Sequence, residues 1–288
     1  MRKYLITTEN TTDFPEEYIK QHDLRIVGLT YSIDDVTYGV EGSPAHPSNM
    51  FYKLMRDGKT PKTTQVNPDG AKKFFEEILK EGYNILHIAF SSGLSGTYNS
   101  MVIAAEELRE EYPDSKIIVI DSLCASLGEG LLVDFALELQ AEGKTMDEVA
   151  AIVEYEKLSF SHIFTVEDLV YLYRGGRVSK TSMVLGTMLG IKPMLHVDNI
   201  GKLVPESKVR GRKASLDTLV KTMVSRMDKE KTKKFFISHG DCFEEAQYLA
   251  EKIKEATGIT DYLIGNIGPV IGSHSGPGTM AVFFRGKR

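Results

Sequence analysis

The chain has 288 residues, 42% hydrophobic and 26% charged, proportions of a globular protein long enough for one large α/β domain or two smaller ones. A net charge of −5 argues against nucleic acid as a partner, which would call for a basic surface. The two cysteines, Cys124 and Cys242, stand far apart and offer neither a disulfide framework nor a zinc site.

The first residues turn polar at Thr7, before the apolar core of a secretory signal develops. No apolar run approaches the length of a membrane span. The expected setting is therefore the reduced cytoplasm, with no integral membrane association.

In chain order, residues 4–7 form a short apolar strand. Asp13-Phe14-Pro15-Glu16 then marks a helix start, with Asp13 as the cap and Glu16 completing a capping box. Residues 24–33 read as one strand rich in Val, Ile, Leu and Tyr, and Asn67-Pro68 opens a helix with apolar periodicity to Lys80. A buried strand over 84–90, a helix over 96–111, a strand over 116–120 and a helix over 127–140 follow. Thr145 and Glu148 form a second capping box, opening a helix to about Lys157. Strands separated by helices of this length imply βαβ units and a mostly parallel sheet.

The second half changes character. A strand over 162–166 leads to a glycine-rich turn, Arg174-Gly175-Gly176-Arg177, and an apolar helix over 181–189. Strands over 191–197 and 202–209 flank Asp198-Asn199-Ile200-Gly201, a hairpin signal. Strands over 234–238, 261–267 and 280–285 complete the chain around two helices. The expected architecture is two-domain α/β: residues 1–160 with a mostly parallel sheet, and 161–288 with a mixed sheet.

Three segments carry chemistry. Ser91-Ser92-Gly93-Leu94-Ser95-Gly96-Thr97 lies between a buried strand and a helix, where free helix N–H groups favour an anion. It contains no Lys or Arg and matches neither phosphate-loop fingerprint, so a single carboxylate suits it better than a triphosphate. The same serines also have a purely structural use as helix caps, and this stretch alone does not separate the two. Thr63-Thr64-Gln65-Val66-Asn67-Pro68 is a second polar cluster with the same ambiguity. Gly272-Ser273-His274-Ser275-Gly276-Pro277-Gly278 places one histidine in what reads as a glycine-rich loop between strands. The other histidines (His22, His46, His87, His162, His196, His239) lack metal-ligand spacing, and no metal is expected.

Together with the YRGGRVS turn and the IKPML strand, these segments resemble, in the same order over nearly the whole chain, the DegV family of bacterial fatty-acid-binding proteins. The resemblance implies two α/β domains with a long-chain fatty acid such as palmitate between them, no other cofactor and no catalytic residue. It assigns the carboxylate to Thr63 and Ser95, with His274 beside the head group; the loop itself offers Ser92 and Gly96 as further donors. It also implies that Arg174 and Arg177, on an exposed turn, face a fatty acid kinase in members that serve one. Two positions depart from the family pattern: Thr8-Glu9-Asn10 stands for Thr-Asp-Ser, and Thr63-Thr64-Gln65-Val66 for Thr-Ser-Gln-Pro.

A carrier is energetically reasonable. Burying a tail of about fourteen methylenes at roughly 0.8 kcal/mol each contributes about 11 kcal/mol gross. Ordering the ligand costs several kcal/mol of this and still leaves micromolar affinity or better. Met183, Val184, Leu185, Met188, Leu189, Ile191 and Met194 could line a tunnel, or simply pack the core. The alternative is a serine hydrolase using Ser95 and His274; the sequence assigns no acid member, Asp241 being only a guess. Thr97 stands where the nucleophile-elbow pattern wants its final glycine.

Overall fold

A computed structural model describes residues 3–180 and 190–288. Strand β1 (Tyr4–Glu9) pairs in parallel with β2 (Arg25–Val27) and β6 (Asn84–Ala89), and β6 with β7 (Ile117–Asp121), giving the order β2-β1-β6-β7. Helices α1 (Glu16–Gln21), α2 (Ser48–Arg56), α3 (Pro68–Lys80), α4 (Thr97–Glu111), α5 (Leu127–Ala141) and α6 (Met146–Glu156) belong to this half. The expected starts of α3 and α6 are both present. Asn67 accepts from the Gly70 N–H at 2.8 Å, and Thr145 and Glu148 form a reciprocal capping box.

The segment expected as one strand over 24–33 is two. At Gly28 the chain leaves the parallel sheet, and β3 (Thr30–Ile33) joins β4 (Val36–Tyr38) and β5 (Lys62–Thr64) in a small antiparallel sheet ordered β4-β3-β5. Asn10 holds the switch point, its side chain bonding both the N–H and the carbonyl of Leu29. Asp13 does not cap α1: Pro15 occupies that place, and Asp13 turns inward with φ of 55°.

A six-stranded mixed sheet forms the other half. Its strands are β8 (Phe160–Thr165), β9 (Ile191–Val197), β10 (Leu203–Arg210), β11 (Lys234–His239), β12 (Asp261–Asn266) and β13 (Met280–Arg285), in the order β10-β9-β8-β13-β11-β12. Only β11 and β12 run parallel within it. Helices α7 (Val170–Arg174), α8 (Arg212–Arg226), α9 (Phe243–Thr257) and α10 (Pro269–Ser275) connect or cover its strands. The apolar helix expected over 181–189, with Met183, Val184, Leu185, Met188 and Leu189, lies outside the described residues.

Helix α5 joins the halves. It packs on β1 and β6 of one sheet and on β8, β11 and β13 of the other, and it is buried on nearly every side, as an apolar helix without a polar stripe must be. A single core therefore runs from Ile6, Leu86 and Ile88 through Leu131 and Leu132 to Phe164, Leu195 and Phe283. A second core, under α8 and α9, holds Met194 beside Leu219 and Phe235. Met194 points away from the space between the sheets and is no tunnel wall. Alternation along the strand sends its neighbour Leu195 to the shared core instead.

Candidate ligand-binding site

Between the sheets lies a cavity of about 600 Å³, within the usual size range for small-molecule sites. Its wall is apolar over long stretches, with Leu29, Phe90, Phe164, Leu172, Ile271 and Phe283 among the lining residues, and its exposed lining residues, Thr64, Gln65, Ser92 and Gly96, mark its mouth.

The mouth is built from segments distant in sequence. Glu9, at the end of β1, accepts the Phe90 N–H at 2.7 Å and lies 3.1 Å from Nε2 of His87, fixing the end of β6 where the SSGLSG loop begins. Burial, and next the charge of Glu9, push the Glu129 carboxyl well above the usual range, and the Thr8 and Thr11 hydroxyls donate to it. The loop is clamped from the other half as well. Ser91 Oγ donates to the Gly201 carbonyl at 2.8 Å, and a Cβ on Gly93 would fall 2.6 Å from the Ile200 carbonyl oxygen, so the hairpin tip requires glycine there.

Thr63, on β5 opposite Tyr31, places its hydroxyl 2.7 Å from Nε2 of His274 on α10. The Nδ1 of His274 has no partner. A buried acceptor without a partner costs less than a buried N–H without one, so the proton belongs on Nε2. His274 then donates to Thr63 Oγ1, leaving the Thr63 hydrogen free for a ligand. Burial, seconded by the Arg177 charge, pushes His274 down to about 4, so its imidazole is neutral near pH 7.

Ser95 Oγ accepts the Thr97 N–H at 3.2 Å and lies 2.9 Å from Thr97 Oγ1. It both bonds the first N–H of α4 and lines the cavity, and if Thr97 donates, the Ser95 hydrogen is also available. These are neutral donors beside a helix N-terminus, suited to one carboxylate.

The whole chain has the sequence pattern of a known group. A sequence model described as an uncharacterised protein of the DegV family matches residues 3–287. The chain belongs to the DegV family. A DegV domain-containing protein of Clostridium perfringens is 44% identical over 286 residues, covering 99% of this chain and 98% of the relative. Among solved structures, a Thermotoga maritima protein described as revealing fatty acid binding function is 29% identical, with TM-score 0.84, covering 99% of this chain and 100% of that one. A Thermus thermophilus DegV family protein, also described by its fatty acid binding, is 27% identical with TM-score 0.86 at the same coverage.

Within this DegV fold the other residues singled out from sequence fall in several places. Ser92 and Gly96 line the cavity from its exposed rim, but the Ser92 N–H is taken by Asp121 at 3.1 Å. Gly96 packs against the amide of the exposed Gln65 side chain. Arg174 is exposed, whereas Arg177 is not on an open turn. It is half-buried in the cavity wall, its guanidinium donating to the Leu94 carbonyl at 2.9 and 3.2 Å and also to the Gly175 carbonyl. Gly175 in turn packs so tightly on His274 that a Cβ would fall 2.1 Å from Nδ1. Arg177 thus ties the Ser95 loop to the His274 cluster, and its aliphatic stem and fork suit that better than a solvated turn. His274 itself sits on a short helix rather than in a loop.

Ile191 is not among the cavity residues, and the hydrolase constellation is not assembled. His274 Nε2 is taken by Thr63, Ser95 is bonded within its own loop, and Asp241 pairs with Arg56 at 2.5 Å. Among the described residues, no group of His, Cys, Asp or Glu is arranged to hold a metal ion, and no helix is long and apolar enough to cross a membrane. Sequence reasoning gave no site role to Ser126 or His162 and named Gln65 only as part of its polar cluster; all three are in the cavity wall.

Proposed function

We propose that the protein binds a long-chain fatty acid non-covalently and presents it in the cytoplasm to lipid-metabolising partners. The carboxylate sits at Thr63 and Ser95, with His274 fixing the Thr63 hydroxyl and Arg177 fixing the loop that carries Ser95. The tail runs inward along Leu29, Phe90, Phe164 and Phe283. The observation that carries this reading is a cavity of about 600 Å³ whose wall is apolar over long stretches and includes the Thr63 and Ser95 hydroxyls. The fatty acid binding of the Thermotoga and Thermus relatives supports it. An acid of palmitate size is the expected occupant, and no further cofactor is invoked.

The head group lies toward exposed Ser92, Gly96 and Arg174, which favours hand-over to a partner such as a fatty acid kinase docking at that rim. The chain has no phosphate-cradling motif, so the partner would supply ATP. Native mass spectrometry of the purified protein is the direct test. A co-purified mass matching a long-chain fatty acid is expected, and a protein that neither retains nor takes up such an acid would overturn the reading.

A further inference from the structure

A saturated tail needs nothing polar in the wall, yet the cavity has a second polar locus away from its mouth. Ser126 and His162 both line it, and both are almost wholly buried. Their distance from the head-group cluster follows from strand register. Thr279, which bonds the Ser275 and Gly276 carbonyls beside His274, precedes β13, whereas His162 lies opposite Phe283 of that strand. At about 3.3 Å per residue, the run from Thr279 to Phe283 is roughly 13 Å. The locus would therefore meet the middle or far part of an acyl chain.

Its hydrogen-bond inventory leaves one acceptor unused. The Leu127 N–H donates to Ser238 Oγ at 3.4 Å, Ser126 Oγ and Ser238 Oγ are 2.8 Å apart, and Ser126 Oγ is 2.5 Å from Asp13 Oδ2. A hydroxyl has one hydrogen and two lone pairs. Whichever way the proton runs along this chain, Ser126 gives its hydrogen to one neighbour and accepts from the other, so one lone pair remains. His162 adds no spare acceptor: its Nδ1 lies 3.1 Å from the Phe160 carbonyl, which places the proton there, and the single lone pair of Nε2 takes the Ala125 N–H at 3.4 Å and packs against Gly128. Ser126 holds this place with φ of 55° and ψ of −148° at the turn from β7 into α5, a conformation disfavoured for any residue but glycine.

We infer that this locus selects fatty acids carrying a hydroxyl part-way along the chain, the hydroxyl donating to Ser126 Oγ. The inference rests on the fatty-acid reading above and names the substrate class within it. A keto group is a poorer match, because the spare capacity is for accepting.

The test is titration calorimetry with hexadecanoic acid and a set of its mono-hydroxylated isomers that walk the hydroxyl along the chain. One mid-chain or distal isomer should bind at least as tightly as the parent, while the others, burying an unpaired hydroxyl, bind about tenfold or more weakly. In Ser126→Gly, the favoured isomer should lose roughly tenfold relative to the parent acid. Uniform weakening of every isomer on the unaltered protein would overturn the inference without needing the variant to fold. An unchanged ratio in the variant would overturn it too. If even the parent acid fails to bind, the fatty-acid reading falls and takes this inference with it.

Discussion

The hydroxyl of Thr63 lies 2.7 Å from Nε2 of His274, although 211 residues separate them in sequence. The pair spans the two halves of the fold, so the head-group site exists only when both are in place. Each half supplies one partner of a relay: the imidazole saturates one lone pair of the threonine oxygen, and the threonine hydrogen is left for the ligand.

Thr63→Ala and Ser95→Ala should each weaken fatty-acid binding tenfold or more, since a hydrogen bond to a charged group contributes about 1.5–3 kcal/mol. His274→Ala should weaken it less, because it acts through Thr63. Calorimetric titration of the three variants checks the order, and wild-type affinity in the first two would remove the carboxylate from this site.

Arg174 and Arg177 should separate cleanly. Arg177→Ala should cost roughly tenfold in ligand affinity, because the Leu94 and Gly175 carbonyls lose their shared donor and the Ser95 loop loosens. Arg174→Glu should leave affinity unchanged and slow acyl-phosphate formation by a cognate kinase. The decisive comparison is affinity against product formation for both variants. Equal loss of ligand binding in the two would show the turn to be purely structural.

How much of this was legible beforehand depended on the range of the interactions. Helices α3 and α6 announce themselves through local caps, and the parallel sheet through regular alternation of strands and helices. The break at Gly28 does not, because a run of β-branched and aromatic residues looks the same whether it serves one sheet or two. Thr63 lies on a strand only three residues long, too short for any periodicity. Arg177 reads as an exposed turn residue because its acceptors, apart from Gly175, lie 83 residues away on the other half. Ser126 and His162 carry no local signal: one sits at a strained helix start and the other in a buried strand. Only the packing of α5 between two sheets brings them to one wall.

A fluorophosphonate probe should fail to label Ser95, whose hydroxyl is bonded to Thr97 within its own loop. Purified protein should hydrolyse neither esters nor acyl thioesters above background. Turnover abolished by both Ser95→Ala and His274→Ala would reinstate the hydrolase.

Asp13 gives the sharpest test of the interface between the halves. Its carboxylate accepts the Gly268 N–H at 2.8 Å and meets Ser126 Oγ at 2.5 Å, so it joins the start of the chain to the segment before α10. Burial pushes it up to about 7, against the lowering effect of those two hydrogen bonds. Between the ordinary value of 3.8 and about 7, the folded protein keeps a proton that the unfolded chain has released. The contribution of Asp13 is thus fully present below about pH 4 and is lost as pH rises through about 7. His274, pushed down to about 4, has the opposite slope, since its folded form resists a proton that the unfolded chain takes up below its ordinary value of 6.5. A single stability profile would blend the two, whereas a difference against Asp13→Asn isolates one. Urea unfolding of both proteins at intervals between about pH 5 and 8 should show the wild type losing ground to the variant as pH rises, with the difference levelling off above that window. Parallel profiles would mean that Asp13 is already ionised at the acid end, and that the Ser126 and Gly268 bonds outweigh its burial.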